Sequence, residues 1–386
     1  MSEENLDRKV ELYEVGFRDW RLCHKKTLEI PDMLKTISLL EDAGIRHIEI
    51  GASVNYEKYP WVDNTYELLG ELRKRNGKSK YSIYIGPSIK NYPRNKIDEL
   101  LEKKILKEDP GMPDEICVSI SASEDRCQEI YGKSRKIIRK QVLRQIKRAV
   151  KDGIPVRGYV SAVFGYYAPF DVDIVRDVIP LCRDLLKAGC YQVCLGDKAK
   201  IDANTIEEKL RIITEKPTEE DINSILKEKE AKKILKKYKI ESNVITRDNL
   251  NENIAEEFGA IINKHRPVLD KSKIALHFHE PEYIKWESPI IKLVSKGFRT
   301  FDTSIVDVLE PGKEPPHGPV RPINPGIAPN ASTQKFVMFE KQLKEDYGIP
   351  ISESFYTGLD CDKIIAAGDY IRGYVKIKNG SLRQAG

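Results

Sequence analysis

Two of the six histidines in the chain are separated by a single residue, in the segment KIALHFHEPEY at 273–283. If this segment is a β-strand, side chains alternate between its faces, so His277 and His279 point to the same side and Phe278 points to the other. Two imidazoles on one face can bind a metal ion, although two exposed surface histidines would give the same pattern. The pair is therefore a candidate metal site that needs further ligands.

Polar side chains also lie within or directly after apolar runs elsewhere in the chain. Those that can take part in chemistry are Arg18, Asp19, Glu49, Ser123, Glu124, Ser161, Asp197 and Asp302. Taken singly, Asp197 can be a helix cap, and Arg18 with Asp19 can be a surface pair. Glu49 is different because it lies between two isoleucines, where burial of a carboxylate requires a cation or metal ion nearby.

Two imidazoles together with the carboxylate of Asp19 would form a mixed nitrogen and oxygen site without a thiolate. Such a site suits a divalent ion that keeps open positions for water or substrate. Mg or Mn is the expected ion because oxygen ligands are hard, and the residue types leave Zn open. An ion of this kind can hold a chelating pair of substrate oxygens and stabilise an enolate that forms beside it.

The elements that must position these groups are short β-rich runs that alternate with helical patterns. The runs span residues 11–17, 47–52, 80–86, 115–122, 156–164, 191–197, 273–279 and 300–305. Strands that alternate with single helices form parallel sheets joined by crossovers, and eight such units predict a closed (β/α)8 TIM barrel. The alternative is a doubly wound open sheet, which is disfavoured because the first strand runs into FRDW without a G-x-G-x-x-G fingerprint.

The barrel hypothesis brings the polar candidates together. In a TIM barrel the carboxyl ends of the strands face the active site, and charged or metal-capable side chains fall at the ends of six of the eight predicted strands. We therefore expect one shared site at that end.

Two of the connecting helices are clearly marked. The segment 30–44 has a proline in its first turn, a glycine at its end and an apolar face formed by Met33, Ile37 and Leu40. The segment 141–153 ends at Gly153 and has an apolar face that we assign to Val142, Ile146 and Val150.

Two stretches interrupt the alternation. Residues 214–252 are dense in Lys and Glu and predict a solvated insertion between the sixth and seventh units, with a binding module as the alternative. Residues 307–330 are rich in proline and glycine and predict a long loop over the end of the barrel. The predicted domains are a barrel over 8–345 and a C-terminal helical extension over 346–386.

The composition excludes several other classes of protein. Lys and Arg total 65 against 60 acidic residues, and the two signs are interleaved, so a nucleic-acid partner is not expected. The seven cysteines form no C-x-x-C pair, which favours a reducing compartment. The first ten residues show no apolar stretch, and no run approaches a membrane span, so we expect a cytoplasmic protein without a membrane partner. A homodimer is an assembly that the sequence leaves open.

At these candidate residues the sequence resembles the hydroxymethylglutaryl-CoA lyase family, part of a larger group of metal-dependent, pyruvate carboxyltransferase-like TIM barrels. The similarity runs in order through most of residues 11–345. It rests on FRD, AGIRHIEIGASV, SISASE, VRGYVSAVFG, GCYQVCLGD, ALHFHE and GFRTFDTSI. These enzymes make or break carbon–carbon bonds next to a carbonyl group.

The resemblance implies both a ligand set and a reaction. The metal would be held by Asp19, His277, His279 and Asn330. The reaction would cleave hydroxymethylglutaryl-CoA to acetoacetate and acetyl-CoA, so the expected partner is an acyl-CoA substrate. Arg18 would stabilise the enolate of the leaving acetyl-CoA, and Asp197 would orient the tertiary hydroxyl for proton removal. The catalytic residues that the resemblance implies are Arg18, Asp19, Glu49, Asp197, His277 and the residue at the position of the family's loop cysteine.

That cysteine position is Arg321 in the stretch RPINPGIAPN, where the proline, the glycine and the final asparagine keep the family's spacing. A guanidinium stays protonated, so it cannot shuttle a proton as a thiol does. Further departures from the family are Trp20, Leu22, Lys198, Glu280 and about ten extra residues before Arg321. His317 in that loop is either a substitute proton shuttle or a surface histidine.

Three functions remain open from the sequence. The first is a hydroxymethylglutaryl-CoA lyase, and the second is a related aldolase or lyase with a different acyl or 2-oxo acid substrate, whose carboxylate or phosphate Arg321 binds. The third is a metal-binding barrel without catalytic activity.

Overall fold

The computed structural model describes the eight strands of the barrel and much of the chain between them. The described residues are 9–24, 27–54, 59–75, 77–87, 112–165, 172–197, 203–215, 236–237, 269–278, 293–294, 296–305, 333–334, 336–337, 340 and 357–371. Most of the predicted insertion over 214–252 and the predicted loop over 307–330 lie outside these residues.

Eight parallel strands close into a barrel in chain order, each paired with the next and the last with the first. The strands are β1 (Glu11–Glu14), β2 (His47–Ser53), β3 (Lys80–Ile85), β4 (Glu115–Ser121), β5 (Val156–Ser161), β6 (Gln192–Gly196), β7 (Ile274–His277) and β8 (Thr300–Thr303). All eight predicted runs are strands, and the prediction of a TIM barrel is confirmed.

Seven helices connect or precede the strands in the described part of the chain. They are α1 (Gly16–His24), α2 (Ile30–Ala43), α3 (Thr65–Lys74), α4 (Glu124–Tyr131), α5 (Arg135–Lys151), α6 (Ile179–Ala188) and α7 (Ala203–Thr214). A π-helical turn over Ile174–Val178 leads into α6. Residues 361–371 form a further helix, and the described residues do not include the predicted domain boundary at 345.

Two strands, β1 and β5, end three residues before their predicted runs do, for local backbone reasons. The first run was predicted to reach residue 17, but α1 begins at Gly16. The fifth was predicted to reach residue 164, but Ala162 has a positive φ of 58° and turns the chain away after Ser161. Residues near the predicted strand ends therefore lie in turns and helix starts at the mouth of the barrel.

Helix α2 follows the sequence closely. Pro31 occupies its first turn, and Gly44 ends it with a φ of 106°, a conformation that favours glycine. Met33, Ile37 and Leu40 are fully buried, as predicted.

The predicted apolar face of α5 is wrong at one position. Val142 and Ile146 are buried, but Val150 is 40% exposed, and Ala149 is buried in its place. Eight residues turn an α-helix about 80° beyond two full turns, which carries the third residue of an i, i+4, i+8 series away from the core.

Among the described residues the core has two parts, one between the helices and the outer face of the barrel and a smaller one inside the barrel. Cys117, Tyr159, Cys194 and Ala275 form the inner cluster. None of the helices in the described ranges combines the length and apolar content needed to cross a membrane.

Candidate active site

Arg18 and Asp19 lie in the first turn of α1, immediately after β1. Their backbone N–H groups donate to the carbonyl of Val15 at 3.1 and 2.8 Å. The turn requires glycine at Gly16, because a Cβ there would overlap the hydroxyl of Ser304. Both side chains are buried, at 8% and 7% exposure, so the surface-pair interpretation of Arg18 and Asp19 is excluded.

Glu49, on β2, provides the main counter-charge for Arg18. The carboxylate is fully buried, and Nε of Arg18 donates to its Oε1, while Nη2 of Arg18 lies 3.5 Å from Oε2. Nη1 of Arg18 donates to Oδ1 of Asp19. Although burial disfavours the charge, the two carboxylates outweigh it and raise the pKa of Arg18 above its ordinary value. The cation that the sequence predicted near Glu49 is therefore Arg18.

Tyr159, on β5, connects Glu49 to a second buried arginine. Its hydroxyl donates to Oε2 of Glu49 at 2.7 Å and accepts a bond from Nη1 of Arg157 at 2.9 Å. Arg157 is also fully buried, and its Nε donates to Oε1 of Gln192 at 2.9 Å. The guanidinium carbon lies 4.0 Å from the ring centroid of Tyr13, which adds a cation–π contact.

Asp302, on β8, receives the remaining bonds of Arg157 and orients His277. Nη2 of Arg157 donates to Oδ1 of Asp302 at 2.6 Å, and Nδ1 of His277 lies 3.1 Å from Oδ2. Burial opposes ionisation of Asp302, but the charge of Arg157 and the bond from His277 lower its pKa below the ordinary value. Asp302 is therefore a permanently charged acceptor for His277.

These contacts form a ring of side chains that extends from the mouth of the barrel into its interior. In order its members are Arg18, Glu49, Tyr159, Arg157, Asp302, His277 and Asp19. Six of the seven steps are hydrogen bonds. The seventh joins Nε2 of His277 to Oδ2 of Asp19 across 3.7 Å, which is too long for a direct hydrogen bond.

The gap between Nε2 of His277 and Oδ2 of Asp19 is the place where the ligand atoms suit a divalent cation. The Nδ1 proton of His277 is committed to Asp302, so Nε2 carries a lone pair toward the carboxylate of Asp19. Among the described residues the ring contains three carboxylates and two guanidiniums, a formal excess of one negative charge when His277 is neutral. The described residues contain no group of three or more His, Cys, Asp or Glu side chains that forms a metal site alone. The predicted ligands His279 and Asn330 lie outside the described residues, as does Arg321.

Asp197 lies directly after β6, next to the end of β7. It is fully buried, and its backbone N–H donates to the carbonyl of His277 at 3.2 Å. The backbone therefore places Asp197 beside His277, as the sequence predicted for neighbouring strand ends.

Two polar residues that follow β4 do not belong to the site. Ser123 caps α4, because its hydroxyl accepts from the N–H of Arg126 at 3.2 Å. Glu124 accepts from the backbone N–H of Arg135 at the start of α5. Their inclusion among the site candidates was wrong, because helix starts and active sites use the same residue types.

The sequence reasoning missed three further residues at the site. Arg157 and Tyr159 precede Ser161 at every second position of β5, which is the inward face of the barrel, and this alternation was the available signal. Tyr84, on β3, was also missed, and its ring centroid lies 5.2 Å from the guanidinium carbon of Arg18, with that of Tyr159 at 5.4 Å.

The comparisons with known proteins agree with the motifs. No family model matches the chain. A 3-hydroxy-3-isohexenylglutaryl-CoA/hydroxymethylglutaryl-CoA lyase of Pseudomonas aeruginosa is 30% identical over 194 residues, which cover 50% of this chain and 59% of that protein. The hydroxymethylglutaryl-CoA lyase of Pseudomonas mevalonii is 28% identical over 189 residues, covering 49% of this chain and 57% of that protein. The matches thus span less than two thirds of either relative.

The fold extends further than the sequence similarity. The crystal structure of the hydroxymethylglutaryl-CoA lyase from Pseudomonas aeruginosa superposes with a TM-score of 0.61 at 22% identity, covering 96% of this chain and 94% of that one. Fold and site together define a parallel TIM barrel with a buried, charged mouth. Within that class, the chain is a relative of the hydroxymethylglutaryl-CoA lyases.

Proposed function

We propose that the protein is a metal-dependent carbon–carbon lyase that cleaves an acyl-CoA of the hydroxymethylglutaryl-CoA type. The observation that carries the proposal is the position of Arg18, which is buried between Glu49 and Asp19 beside His277. A fixed, buried cation at the mouth of a barrel can stabilise an oxyanion as it forms.

Arg18 has hydrogen-bonding capacity left for a substrate. Its guanidinium has five N–H groups, and the contacts with Glu49 and Asp19 in the described part of the chain occupy three of them. The two others, one on each terminal nitrogen, are proposed to bind the thioester oxygen. The guanidinium also makes cation–π contacts with the rings of Tyr84 and Tyr159.

Asp19 and His277 are proposed to hold a divalent ion, Mg or Mn, with His279 and Asn330 by resemblance. The support is the donor pair of Asp19 Oδ2 and His277 Nε2, fixed on their far sides by Arg18 and Asp302. When bound, such an ion supplies Lewis-acid polarisation of substrate oxygens. The protein groups orient the substrate and move its protons.

Asp197 is proposed to orient the tertiary hydroxyl of the substrate and accept its proton. Loss of this proton converts the hydroxyl-bearing carbon to a ketone as the bond to the thioester-side methylene breaks. The bonding electrons pass to that methylene, and Arg18 stabilises the resulting enolate of the leaving acetyl-CoA. The enolate then takes up a proton. Arg321 cannot supply it in the way the family's cysteine does, because a guanidinium does not deprotonate at working pH.

Acetoacetate production from hydroxymethylglutaryl-CoA, in the presence of Mg²⁺ or Mn²⁺, tests the proposal. We expect turnover that a chelator abolishes and that Asp19→Ala reduces to background. Asp42→Ala, which changes an exposed carboxylate paired with Lys78, is the control and should keep full activity. No acetoacetate above the Asp19→Ala background would exclude this activity. Thermal stabilisation by metal, without turnover of any substrate, would support the inactive metal-binding barrel.

A second candidate is a related lyase or aldolase with another acyl or 2-oxo acid substrate. It is favoured by Arg321, since arginine binds carboxylate or phosphate in a planar, bidentate manner. A screen of acyl thioesters and 2-oxo acids separates the two candidates. Hydroxymethylglutaryl-CoA cleavage that appears only in Arg321→Cys would support a lineage that lost this reaction.

A further inference from the structure

Three hydroxyl groups meet on the β3 and β4 side of the barrel mouth. The hydroxyl of Tyr84 lies 2.5 Å from Oγ of Ser119 on the neighbouring strand. Tyr131, at the last turn of α4, lies close enough to interact with both side chains. We call Tyr84, Ser119 and Tyr131 the hydroxyl cluster.

The hydroxyl cluster lies beside the catalytic cation of the proposed site. The ring of Tyr84 packs against the inner barrel cluster and lies under the guanidinium of Arg18. Ser119 is in register with Tyr159 on β5, the second tyrosine in contact with Arg18. A substrate group that binds beside Arg18, on the side of Tyr84, is therefore in reach of the cluster.

The two tyrosines that flank Arg18 differ in what their hydroxyls can do. The hydroxyl of Tyr159 is committed to Arg157 and Glu49, and the side chain is only 6% exposed. The hydroxyl of Tyr84 instead bonds to other hydroxyls, and all three cluster members are partly exposed. Together the three hydroxyls have three donor and six acceptor sites, and the bond between Tyr84 and Ser119 uses one of each, so both kinds of site remain in the cluster.

The protonation state of the cluster is fixed. Burial raises the pKa of Tyr84 and that of Tyr131, so both phenols remain neutral donors. Three carboxylates in the adjacent ring already exceed its two guanidiniums. A neutral group that both donates and accepts, such as a hydroxyl, matches this cluster.

We propose that the hydroxyl cluster is a specificity subsite that takes an uncharged, oxygen-bearing branch of the substrate acyl chain in preference to an alkyl branch of equal size. This inference rests on the proposed function for the identity of the acyl substrate. An alkyl branch would remove solvent from the three hydroxyls without replacing its hydrogen bonds. The penalty for such unpaired groups corresponds to roughly a tenfold to hundredfold loss of affinity.

Two free acids of nearly equal shape test the subsite. They are 3-hydroxy-3-(hydroxymethyl)glutarate and 3-ethyl-3-hydroxyglutarate, which differ by a hydroxyl in place of a methyl group. Calorimetric titration of the full chain in excess Mg²⁺ gives the ratio of their dissociation constants. We expect the hydroxymethyl compound to bind at least about tenfold more tightly to the unaltered protein.

Single-hydroxyl deletions connect that ratio to the cluster. Tyr84→Phe keeps the ring under Arg18, and Ser119→Ala removes its partner hydroxyl, so each is expected to bring the ratio close to one. Tyr370→Phe is the matched control, because its hydroxyl donates to Asp32 at 2.7 Å on the outer helices. That variant should keep the full preference. If the cluster is only structural, the deletions lower the melting temperature and leave the ratio unchanged.

The outcomes separate this inference from the proposed function. Equal binding of both acids, tighter binding of the ethyl compound, or binding of neither overturns the subsite, even if hydroxymethylglutaryl-CoA is cleaved. A preference that Tyr84→Phe abolishes supports the subsite, even if no acetoacetate is formed.

Discussion

Asp302 accepts a hydrogen bond from Nδ1 of His277 at 3.1 Å, and this contact decides which nitrogen of His277 faces the mouth of the barrel. An ionised carboxylate only accepts, so Nδ1 must carry a proton, and in the neutral imidazole the lone pair is then on Nε2, toward Asp19. Arg157 fixes Asp302 in turn, from the opposite side of the barrel interior. The site is therefore oriented by residues that need not touch the substrate.

The first prediction concerns this orienting role. Asp302→Asn is expected to weaken binding of Mn²⁺ to the protein about 10- to 100-fold, because an amide can no longer fix the histidine tautomer. Isothermal titration with Mn²⁺ measures the effect. Asp42→Asn, at an exposed carboxylate, is the control and should leave affinity unchanged. Equal Mn²⁺ affinity in Asp302→Asn and the unaltered protein would show that Asp302 does not orient a metal ligand.

The second prediction concerns the ion pair between Arg18 and Glu49. Glu49→Gln keeps the shape of the side chain but removes the main counter-charge of Arg18. We expect a loss of about 3 kcal/mol in the free energy of unfolding and a decrease in kcat on the order of 100-fold. Urea unfolding and initial rates on the cleaved acyl-CoA measure the two effects. Glu71→Gln breaks an exposed pair with Lys74 and should change stability by less than about 0.5 kcal/mol. Similar small losses in both variants would contradict a structural role for the buried pair.

The third prediction concerns Arg157, which has no contact with solvent. Arg157→Met leaves Asp302 buried without its main cation, which is expected to cost about 3–5 kcal/mol of stability. Arg176→Met is the matched control, because Arg176 is exposed and Asp177, 3.9 Å away, keeps its pair with Arg135, so the loss is at most about 1 kcal/mol. Chemical unfolding of both variants is the measurement. A chemical unfolding curve for Arg157→Met that overlays that of the control would show that Arg157 is not needed to stabilise the buried carboxylate of Asp302.

The sequence was sufficient to predict the barrel because its signals are local. Apolar runs, a proline at the start of α2 and Gly44 at its end each act within a few residues. The end of β1 was less predictable, since the turn at Gly16 depends on close approach to Ser304, which is distant in the chain. The prediction from helix spacing was also wrong at Val150, because the 3.6-residue period of the helix places this residue outside the core.

The pairing of the polar groups was not predictable from the sequence, because it depends on register around the closed barrel. Arg157 and Asp302 are 145 residues apart, and β5 and β8 are not neighbours, yet their side chains meet inside the barrel. Glu49 could be assigned a cation by the cost of burying a charge, but not the particular arginine. The roles proposed for His279, Asn330 and Arg321 stay predictions from the resemblance.

The last prediction concerns Glu115, at the first residue of β4 and away from the mouth. Its carboxylate accepts hydrogen bonds from Tyr13 at 3.0 Å and from Tyr191, and it lies 3.0 Å from Nδ1 of His47. Burial opposes ionisation, but the bonds from His47, Tyr191 and Tyr13 outweigh it and lower the pKa of Glu115 below its ordinary value of 4.5.

A carboxylate with a lowered pKa in the folded state adds stability that is present above its unfolded pKa and is lost as the pH falls through the folded pKa. Glu115→Gln is therefore expected to be about 2 kcal/mol less stable than the unaltered protein at pH 7. The difference should shrink as the pH falls below about 4.5. Urea unfolding of both proteins at a series of pH values gives the difference directly. A difference that stays constant down to pH 3 would show that the ionised form of Glu115 does not stabilise the barrel, and that only its shape and neutral hydrogen bonds do.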